Sequence, residues 1–501
     1  MSAVVEGLTQ LSDPVVLLCI LIGALAGMLV GAFPGITATM AVALASAFTL
    51  TMEPVQGLAV LLTIYVAANF GDRVPAILVN TPGTPASIAT TFDGYPLARQ
   101  GKAGLALTTS AFGAAFGTFA GLLVLIFAAI PLSRVALNFG PAEIFALVVF
   151  GLTMIVSVAG SNLLKGLAAA GFGLALSTVG RDPIVGTERM TFGVLELSDG
   201  LPFIAVIIGL FGIADVLDQM LTHHAATAKP IQSFGRWMPN RTERRKMWKP
   251  MAIGSGVGAV VGAVPAAGGD IAGLTAWSVS RRSSEHPEEY GKGSLEGLTA
   301  GDTASNATLG PSVSTTLALG VPGDSVMAVL MGSLVIWGFN PGPGLFAAQP
   351  DLVYTIAGIM VIATVLTFGL SLLRMRGVTK LLELPPHYLW TVVIVFCLVG
   401  TYAVNNSTVD VLVMIVFGVV GLFMRRLGFP PGPVVLGLIL GSMAEANLRR
   451  ALEIGGISNV LTSPIAVGFL LVALASVALP PLLRSWKTHR AGRRHTHTVN
   501  H

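Results

Sequence analysis

The chain has 501 residues, of which 53% are hydrophobic and 11% are charged. Because a typical soluble domain has about 25% charged residues, this composition excludes an ordinary soluble globular protein. The formal net charge of +4 does not indicate a nucleic-acid partner, and we expect none. Cys19 and Cys397 lie in apolar segments without metal-ligand spacing, so both are interpreted as small buried hydrophobic residues.

Apolar segments that approach or exceed the ~20 residues of a membrane span recur along the chain. They predict an all-α integral membrane protein with roughly ten to twelve transmembrane or half-spanning helices. Residues 1–13 contain Glu6 and Asp13 but no base, so we expect no cleavable signal peptide there. The clearest apolar segments are 15–32, 105–132, 144–159, 201–217, 354–373, 388–404, 409–424 and 465–483.

A glycine-spaced apolar helix runs into a proline in each half of the chain. A Pro-Gly turn follows each of these helices, at Pro82-Gly83 and at Pro322-Gly323. Paired Gly/Pro interruptions in two halves point to the binding site of a transporter near the membrane midplane. We therefore predict two inverted repeats with broken helices or re-entrant hairpins. The two series are Gly23, Gly27, Gly31, Pro34-Gly35 and Gly254, Gly258, Gly262, Pro265-Ala266.

The distribution of basic residues predicts the boundaries and the orientation. We assign the first membrane repeat to 1–221, a basic cytoplasmic loop to 222–250, the second repeat with C-terminal helices to 251–483 and a basic cytoplasmic tail to 484–501. Positive flanks mark the cytoplasmic side, so the acidic N-terminus should lie outside and the C-terminus inside. The two repeats then enter the membrane from opposite sides, as an inverted pair does.

The interruptions place polar groups inside apolar segments. A proline breaks a helix and frees carbonyl groups, which are tolerated where they line a polar cavity. The helix that starts after each Pro-Gly turn offers N–H groups and a positive dipole end, which suit a carboxylate. Helix packing is the alternative for any single residue. The predicted substrate-binding residues are Pro34, Gly35, Asn69, Arg73, Asn80, Thr81, Pro82, Gly83, Thr84, Asn306, Thr315, Thr316, Pro322, Gly323, Asp324 and Ser325.

Charged residues within membrane segments are functional hypotheses. Arg73 can clamp a carboxylate with two parallel hydrogen bonds; pairing with the adjacent Asp72, or a position at the membrane edge, is the alternative. Asp72, Asp270 and Asp302 are the candidates for taking up a coupling ion, either a proton or sodium. Asp93, in Asp93-Gly94-Tyr95-Pro96, is interpreted first as a turn residue.

A series of motifs runs along nearly the whole chain in one order. It begins with Asn80-Thr81-Pro82-Gly83-Thr84-Pro85 and Phe92-Asp93-Gly94-Tyr95-Pro96, and it continues with Leu319-Gly320-Val321-Pro322-Gly323 and Glu445-Ala446-Asn447-Leu448-Arg449-Arg450. These motifs resemble TctA, the large membrane subunit of the tripartite tricarboxylate transporters.

This resemblance implies the permease subunit of an ion-gradient-driven secondary transporter that imports an organic dicarboxylate or tricarboxylate. The implied partners are a small TctB-like membrane subunit and a periplasmic TctC-like solute-binding protein that delivers the substrate. The implied location is the bacterial inner membrane. No cofactor is expected, and the chain has no Gly-x-x-x-x-Gly-Lys-Ser/Thr nucleotide loop.

The chain departs from the family pattern at charged positions. Gly71-Asp72-Arg73 stands where the family has a Gly-Gly-Ser-like run, and Asp270 and Asp324 stand where it has small residues. Asp302 replaces a family glutamate. Added buried charges change which substrate fits the binding site, so we expect an organic carboxylate but not citrate itself.

A passive anion channel and a membrane-embedded enzyme are the alternative functions. An embedded enzyme needs a nucleophile with a base or a metal pair, and the sequence has no His-Glu-x-x-His and no Gly-x-Ser-x-Gly motif. A channel does not require a delivered substrate.

Overall fold

The computed structural model describes residues 2–33, 36–158, 163–182, 185–222, 234–265, 267–373 and 386–477. Helices make up most of these residues, which confirms the all-α prediction. Pro34, Gly35, residues 223–233 of the predicted basic loop and the predicted tail 484–501 lie outside them. Two short strands, β1 (Gly180–Arg181) and β2 (Glu188–Arg189), pair antiparallel with Gly180 opposite Arg189.

The first half contains α1 (Ser2–Gln10), α2 (Pro14–Ala32), α3 (Ala38–Thr49), α4 (Pro54–Gly71), α5 (Arg73–Val79), α6 (Ile88–Leu97), α7 (Ala103–Ala136), α8 (Pro141–Val158), α9 (Leu163–Leu176), α10 (Phe203–Ile207) and α11 (Ala214–Thr222). The second half contains α12 (Arg241–Ala263), α13 (Gly268–Ser283), α14 (Leu295–Ala307), α15 (Leu309–Leu319), α16 (Ser325–Ile336), α17 (Leu345–Ala348), α18 (Leu352–Leu373), α19 (Pro386–Asn405), α20 (Thr408–Arg426), α21 (Gly432–Thr462) and α22 (Pro464–Val477).

Six helical segments among the described residues are long and apolar enough to cross a membrane. The number becomes seven if α21 and α22, which are bent by 64° relative to each other, form one span. Shorter apolar helices, including α3 and α16, accompany them. The protein is therefore a multi-pass membrane protein. The full-length spans are Pro14–Ala32, Pro54–Val79, Pro85–Ala136, Phe203–Thr222, Leu352–Leu372 and Thr408–Arg426.

The chain packs as two units. One comprises residues 1–138 and 201–427, and the other comprises 139–200 and 428–501. The second unit packs α8 and α9 on α21, and Arg189 of β2 pairs with Glu445 of α21 at 2.9 Å. The first unit contains both glycine-spaced helices and both Pro-Gly turns. The repeat boundaries near 221 and 251 stay a prediction.

Each glycine-spaced helix packs closely on a broken helix. A Cβ atom at Gly31 of α2 would lie 2.3 Å from the carbonyl oxygen of Ala68 on α4. A Cβ atom at Gly262 of α12 would lie 2.6 Å from Cα of Thr308, where α14 ends. Small residues thus let the backbones approach in both halves. The same kind of backbone contact is made by Gly23, Gly27, Gly254 and Gly258.

The two broken helices are interrupted and terminated in the same way. Asp72 separates α4 from α5, and Thr308 separates α14 from α15. The half-helices α5 and α15 end at left-handed residues, Asn80 with φ 56° and Gly320 with φ 70°. Left-handed caps end helices abruptly. A new helix then begins after each Pro-Gly turn, which confirms the predicted restarts: a single turn at Pro85–Ser87 leads into α6, and α16 starts at Ser325.

The interpretation of Asp93 as a turn residue is wrong. Asp93 lies within α6 and is fully buried. Its carboxylate accepts hydrogen bonds from the backbone N–H groups of Gly291, Gly293 and Ser294 at 2.8, 3.1 and 2.8 Å and from Nε1 of Trp277 at 2.7 Å. These donors come from distant segments, so tertiary hydrogen bonds override the local turn preference.

Candidate functional site

Helices that follow interruptions of opposite halves meet at their N-terminal ends. Helix α3 follows the Pro34-Gly35 interruption, and α16 follows Pro322-Gly323. The two helices are in contact, and Thr39 Oγ1 lies 2.9 Å from Ser325 Oγ. The side chain of Thr37 caps the N-terminus of α3. The positive ends of two helix dipoles therefore converge at this point.

A second meeting point uses the remaining two interruptions. Helix α13 follows Pro265, and its first turn packs on the Pro85–Ser87 turn after Pro82-Gly83. A Cβ atom at Gly269 would lie 3.3 Å from Cβ of Ala86. Asp270 is half-buried in the first turn of α13. Each meeting point thus joins one interruption of the first half to one of the second.

The meeting point of α3 and α16 contains a carboxylate of the protein itself. Asp324 is the N-cap of α16, and its Oδ1 accepts a hydrogen bond from the backbone N–H of Met327 at 2.8 Å. Its Oδ2 accepts a hydrogen bond from the hydroxyl of Tyr65 on α4. Ser312 of α15 lies beside both of these side chains. Its fully buried Oγ nevertheless has no partner in hydrogen-bond geometry.

A buried ion pair joins α5 of the first half to α14 of the second. Nε of Arg73 lies 3.4 Å from Oδ1 of Asp302, and the side chains are 5% and 1% exposed. Thr90 donates a hydrogen bond to Oδ1 of Asp302 at 2.5 Å, and Thr84 donates one to Oδ2 of Asp72. Arg73 therefore pairs across the halves, in addition to lying next to Asp72.

When both of its aspartates are ionised, the cluster of Asp72, Arg73 and Asp302 has more negative than positive charge. Both aspartates interact with the Arg73 guanidinium. Oδ1 of Asp72 and Oδ2 of Asp302 are buried and accept no hydrogen bond from the described residues. An uncompensated buried charge is costly, so this arrangement favours uptake of a proton or a monovalent cation.

Several predicted binding residues have partners within their own helices. Nδ2 of Asn69 donates to the carbonyl of Tyr65 at 2.8 Å, and Nδ2 of Asn306 donates to the carbonyl of Asp302 at 3.0 Å. Both amides thus bond four residues back, shortly before a helix break.

The hydroxyls of Thr315 and Thr316 on α15 are likewise engaged. Thr315 donates to the carbonyl of Pro311 at 3.0 Å. Thr316 donates to the carbonyl of Ser312 at 2.7 Å and accepts a hydrogen bond from the N–H of Gly323 at 3.0 Å. The Gly323 N–H is therefore already satisfied. These residues support the turn, and their contact with a substrate stays a prediction.

Solvent exposure varies from residue to residue along the two Pro-Gly turns. Asn80 and Thr81 are exposed, whereas Gly83 and Thr84 are buried. In the second half Pro322 and Gly323 are buried, Asp324 is half-buried and Ser325 is exposed. Accessible polar groups thus occur at both Pro-Gly turns.

The sequence analysis missed Tyr65 and Thr39. Tyr65 lies in a continuous apolar run of α4 and is 1% exposed. The available signal was a lone hydroxyl-bearing aromatic residue in the middle of a span, since a buried Tyr O–H usually finds a partner. Across the residues that the structure describes, no group of three or more His, Cys, Asp or Glu side chains could hold a metal ion.

Comparison with known proteins decides the family. The sequence profile of the "Tripartite tricarboxylate transporter TctA family" matches residues 17–436. The chain belongs to the TctA family. This confirms the resemblance found in the motifs, and it makes the chain a membrane component of a tripartite transporter, since the family is one of transporters and not of enzymes.

Two relatives of this TctA-family chain come from Agrobacterium vitis. An uncharacterized 52.8 kDa protein in the TAR-I ttuC' 3'region is 37% identical over 476 residues, which cover 94% of this chain and 95% of the relative. An uncharacterized protein in the TAR-II ttuC' 3'region is 35% identical over 232 residues, 46% of this chain and 96% of the relative. No solved structure matches the chain.

Proposed function

We propose that this TctA-family chain is the permease subunit of a secondary transporter that imports an organic carboxylate across the bacterial inner membrane. The observation that carries the proposal is the meeting of helices that follow interruptions in opposite halves, with Thr39, Asp324 and Ser325 at one meeting point and Asp270 at the other. Helix N-termini inside the membrane suit an anionic ligand, and broken helices form such sites in secondary transporters.

The matching packing of the two halves supports an inverted-repeat mechanism. In each half a glycine-spaced helix contacts the helix that breaks, and a left-handed cap follows the break. One repeat moving against the other would expose the meeting points to each side of the membrane in turn. A TctC-like binding protein would deliver the substrate, and a TctB-like subunit would complete the membrane complex.

The coupling ion is proposed to bind at the Asp72, Arg73 and Asp302 cluster. A proton or sodium ion there would neutralise the excess carboxylate charge. Asp270 is the second candidate for binding the coupling ion, because it lies where α13 meets the Pro85–Ser87 turn. Uptake of the ion would then change the charge interactions between Arg73 and Asp72 of the first half and Asp302 of the second half.

Labelling from the two sides of the membrane tests the proposed orientation. Single cysteines introduced within 1–13 should react with an impermeant thiol reagent added outside, because the N-terminus is expected there. Cysteines introduced within 234–245 should react only after the membrane is opened, because this basic segment is expected inside. Labelling of both segments from the same side would contradict the inverted pair.

Uptake into membrane vesicles tests the proposed function. Vesicles that contain the chain and its two proposed partners should accumulate a radiolabelled carboxylate above its external concentration. We expect accumulation to require one imposed gradient, of sodium or of protons, varied independently. Equilibration without accumulation would instead support a channel, and chemical conversion of the carboxylate would support an enzyme.

A further inference from the structure

The N-terminus of α16 is already occupied by the carboxyl group of Asp324. Helices α3 and α16 both have 12 residues, and their N-terminal ends meet at the Thr39–Ser325 contact. Two converging dipole ends attract an anion. Asp324 supplies one from within the chain, since both of its carboxylate oxygens accept hydrogen bonds there.

Hydrogen bonds from the surroundings of Asp324 hold its carboxyl group in place. Tyr65 and the Met327 N–H fix its two oxygens. Among the described residues, no Lys, Arg or His side chain forms an ion pair with Asp324. The unpartnered, fully buried hydroxyl of Ser312 lies beside it, and the exposed Ser325 hydroxyl is the next residue along the chain. Both hydroxyls can bind a neutral polar group.

The other charges near the interruptions are also mostly negative. Asp72 and Asp302 share the single guanidinium of Arg73, and Asp270 lies at the other meeting point. A substrate with several carboxylates would bring further negative charge against these groups. Like charges in contact are strongly disfavoured and therefore set specificity.

Resting on the proposed carboxylate transport, we propose that Asp324 is a specificity-determining residue. It occupies the place that a second substrate carboxylate would take, so the protein selects substrates with a single carboxylate. The remainder of the substrate is then neutral and contacts the hydroxyls of Ser312 and Ser325. This narrows the proposed organic carboxylate to one with a single carboxylate, and it departs from the dicarboxylate or tricarboxylate class that the resemblance implies.

Calorimetric titration of the purified full-length protein with four-carbon acids tests this inference. The probes are butyrate against succinate, and 3-hydroxybutyrate against malate, so that each pair differs in one carboxylate. The wild type should bind the monocarboxylate of each pair at least about tenfold more tightly. Asp324→Ser should shift this ratio about ten- to a hundredfold towards the dicarboxylate, because serine keeps the helix N-cap but removes the charge.

Two further variants keep the result interpretable. Asp324→Asn removes the same charge with the same shape and should give the same shift, even if Asp324→Ser folds poorly. Asp410→Asn is the matched control, because Asp410 is a buried carboxylate of α20 that bonds Asn405 at 2.8 Å, away from the interruptions. It should leave the ratio unchanged.

The outcomes separate the inference from the proposed function. Wild-type protein that binds the dicarboxylates as tightly as the monocarboxylates would overturn the role of Asp324 and leave carboxylate transport standing. An unchanged ratio in both Asp324 variants would overturn it as well. Binding of none of the four acids to the wild type would contradict the proposed carboxylate site itself.

Discussion

Replacing Arg73 by glutamine is expected to lower the free energy of unfolding by about 3 to 5 kcal/mol, the usual effect of removing one partner of a buried ion pair. Arg73 is 4% exposed, and it is the cation that faces both Asp72 and Asp302. Without the guanidinium, two buried carboxylates would remain close together with no compensating charge.

Thermal unfolding of the detergent-purified variant, followed by intrinsic fluorescence, measures this effect. Adding Asp302→Asn to Arg73→Gln should recover part of the loss, because the second change removes one of the two unpaired charges. Arg236→Gln is the control: Arg236 pairs with Glu243 at 2.6 Å but its side chain is 50% exposed. Loss of an exposed pair costs at most about 1 kcal/mol.

The substrate-clamp hypothesis predicts a different outcome for the same variant. If Arg73 binds a substrate carboxylate, Arg73→Gln should keep wild-type stability and weaken substrate affinity roughly ten- to a hundredfold, the equivalent of a charge-assisted hydrogen bond. Unfolding and binding measured on the same preparation distinguish the two roles. The pairing of Arg73 with Asp302 favours the stability effect.

Local sequence signals predicted the helices and their interruptions well. Long apolar runs predict membrane spans, because they match the thickness of the hydrocarbon core. Within lipid a helix satisfies its backbone N–H and C=O groups internally. The prolines and glycines near 82 and 322 predicted where new helices begin, since proline cannot continue a helix and glycine permits the sharp turn. The close packing of the glycines of α2 and α12 on α4 and α14 was not predicted.

Tertiary contacts could not be predicted from these signals. The partners of Arg73 and Asp93 lie about two hundred residues away along the chain, and no local pattern encodes them. Asp324 was expected to contact substrate, yet its oxygens bond Tyr65 and Met327. A sequence shows that a polar residue is buried but not which group satisfies it, because hydrogen-bond satisfaction is a property of the packed structure.

Replacing Gly262 by alanine is expected to lower the free energy of unfolding by about 1 to 3 kcal/mol, the usual cost of overpacking a close helix contact. The new methyl group would lie 2.6 Å from Cα and 2.8 Å from the carbonyl oxygen of Thr308. Backbone atoms cannot rotate away as a side chain can, so α12 and α14 must separate at the helix break.

The same helix offers a matched control. Gly256 is an exposed glycine of α12, and a Cβ atom there would meet nothing within 4 Å. Gly256→Ala should therefore raise stability by about 0.4 to 1 kcal/mol, because alanine restricts the unfolded chain. If the two Gly→Ala changes in this helix alter the free energy of unfolding with opposite signs, the loss in Gly262→Ala comes from the contact with Thr308 and not from helix propensity.

Gly31→Ala extends this test to the first half of the chain. Its methyl group would lie 2.3 Å from the Ala68 carbonyl oxygen and 2.9 Å from the N atom of Asp72, at the other helix break. If the halves are structural repeats, Gly31→Ala and Gly262→Ala should lower the unfolding temperature of the purified protein by similar amounts. A lower unfolding temperature in only one of the two variants would show that the two breaks are not equivalent. If both variants were as stable as the wild type, the close contacts on which the repeat hypothesis depends would be contradicted.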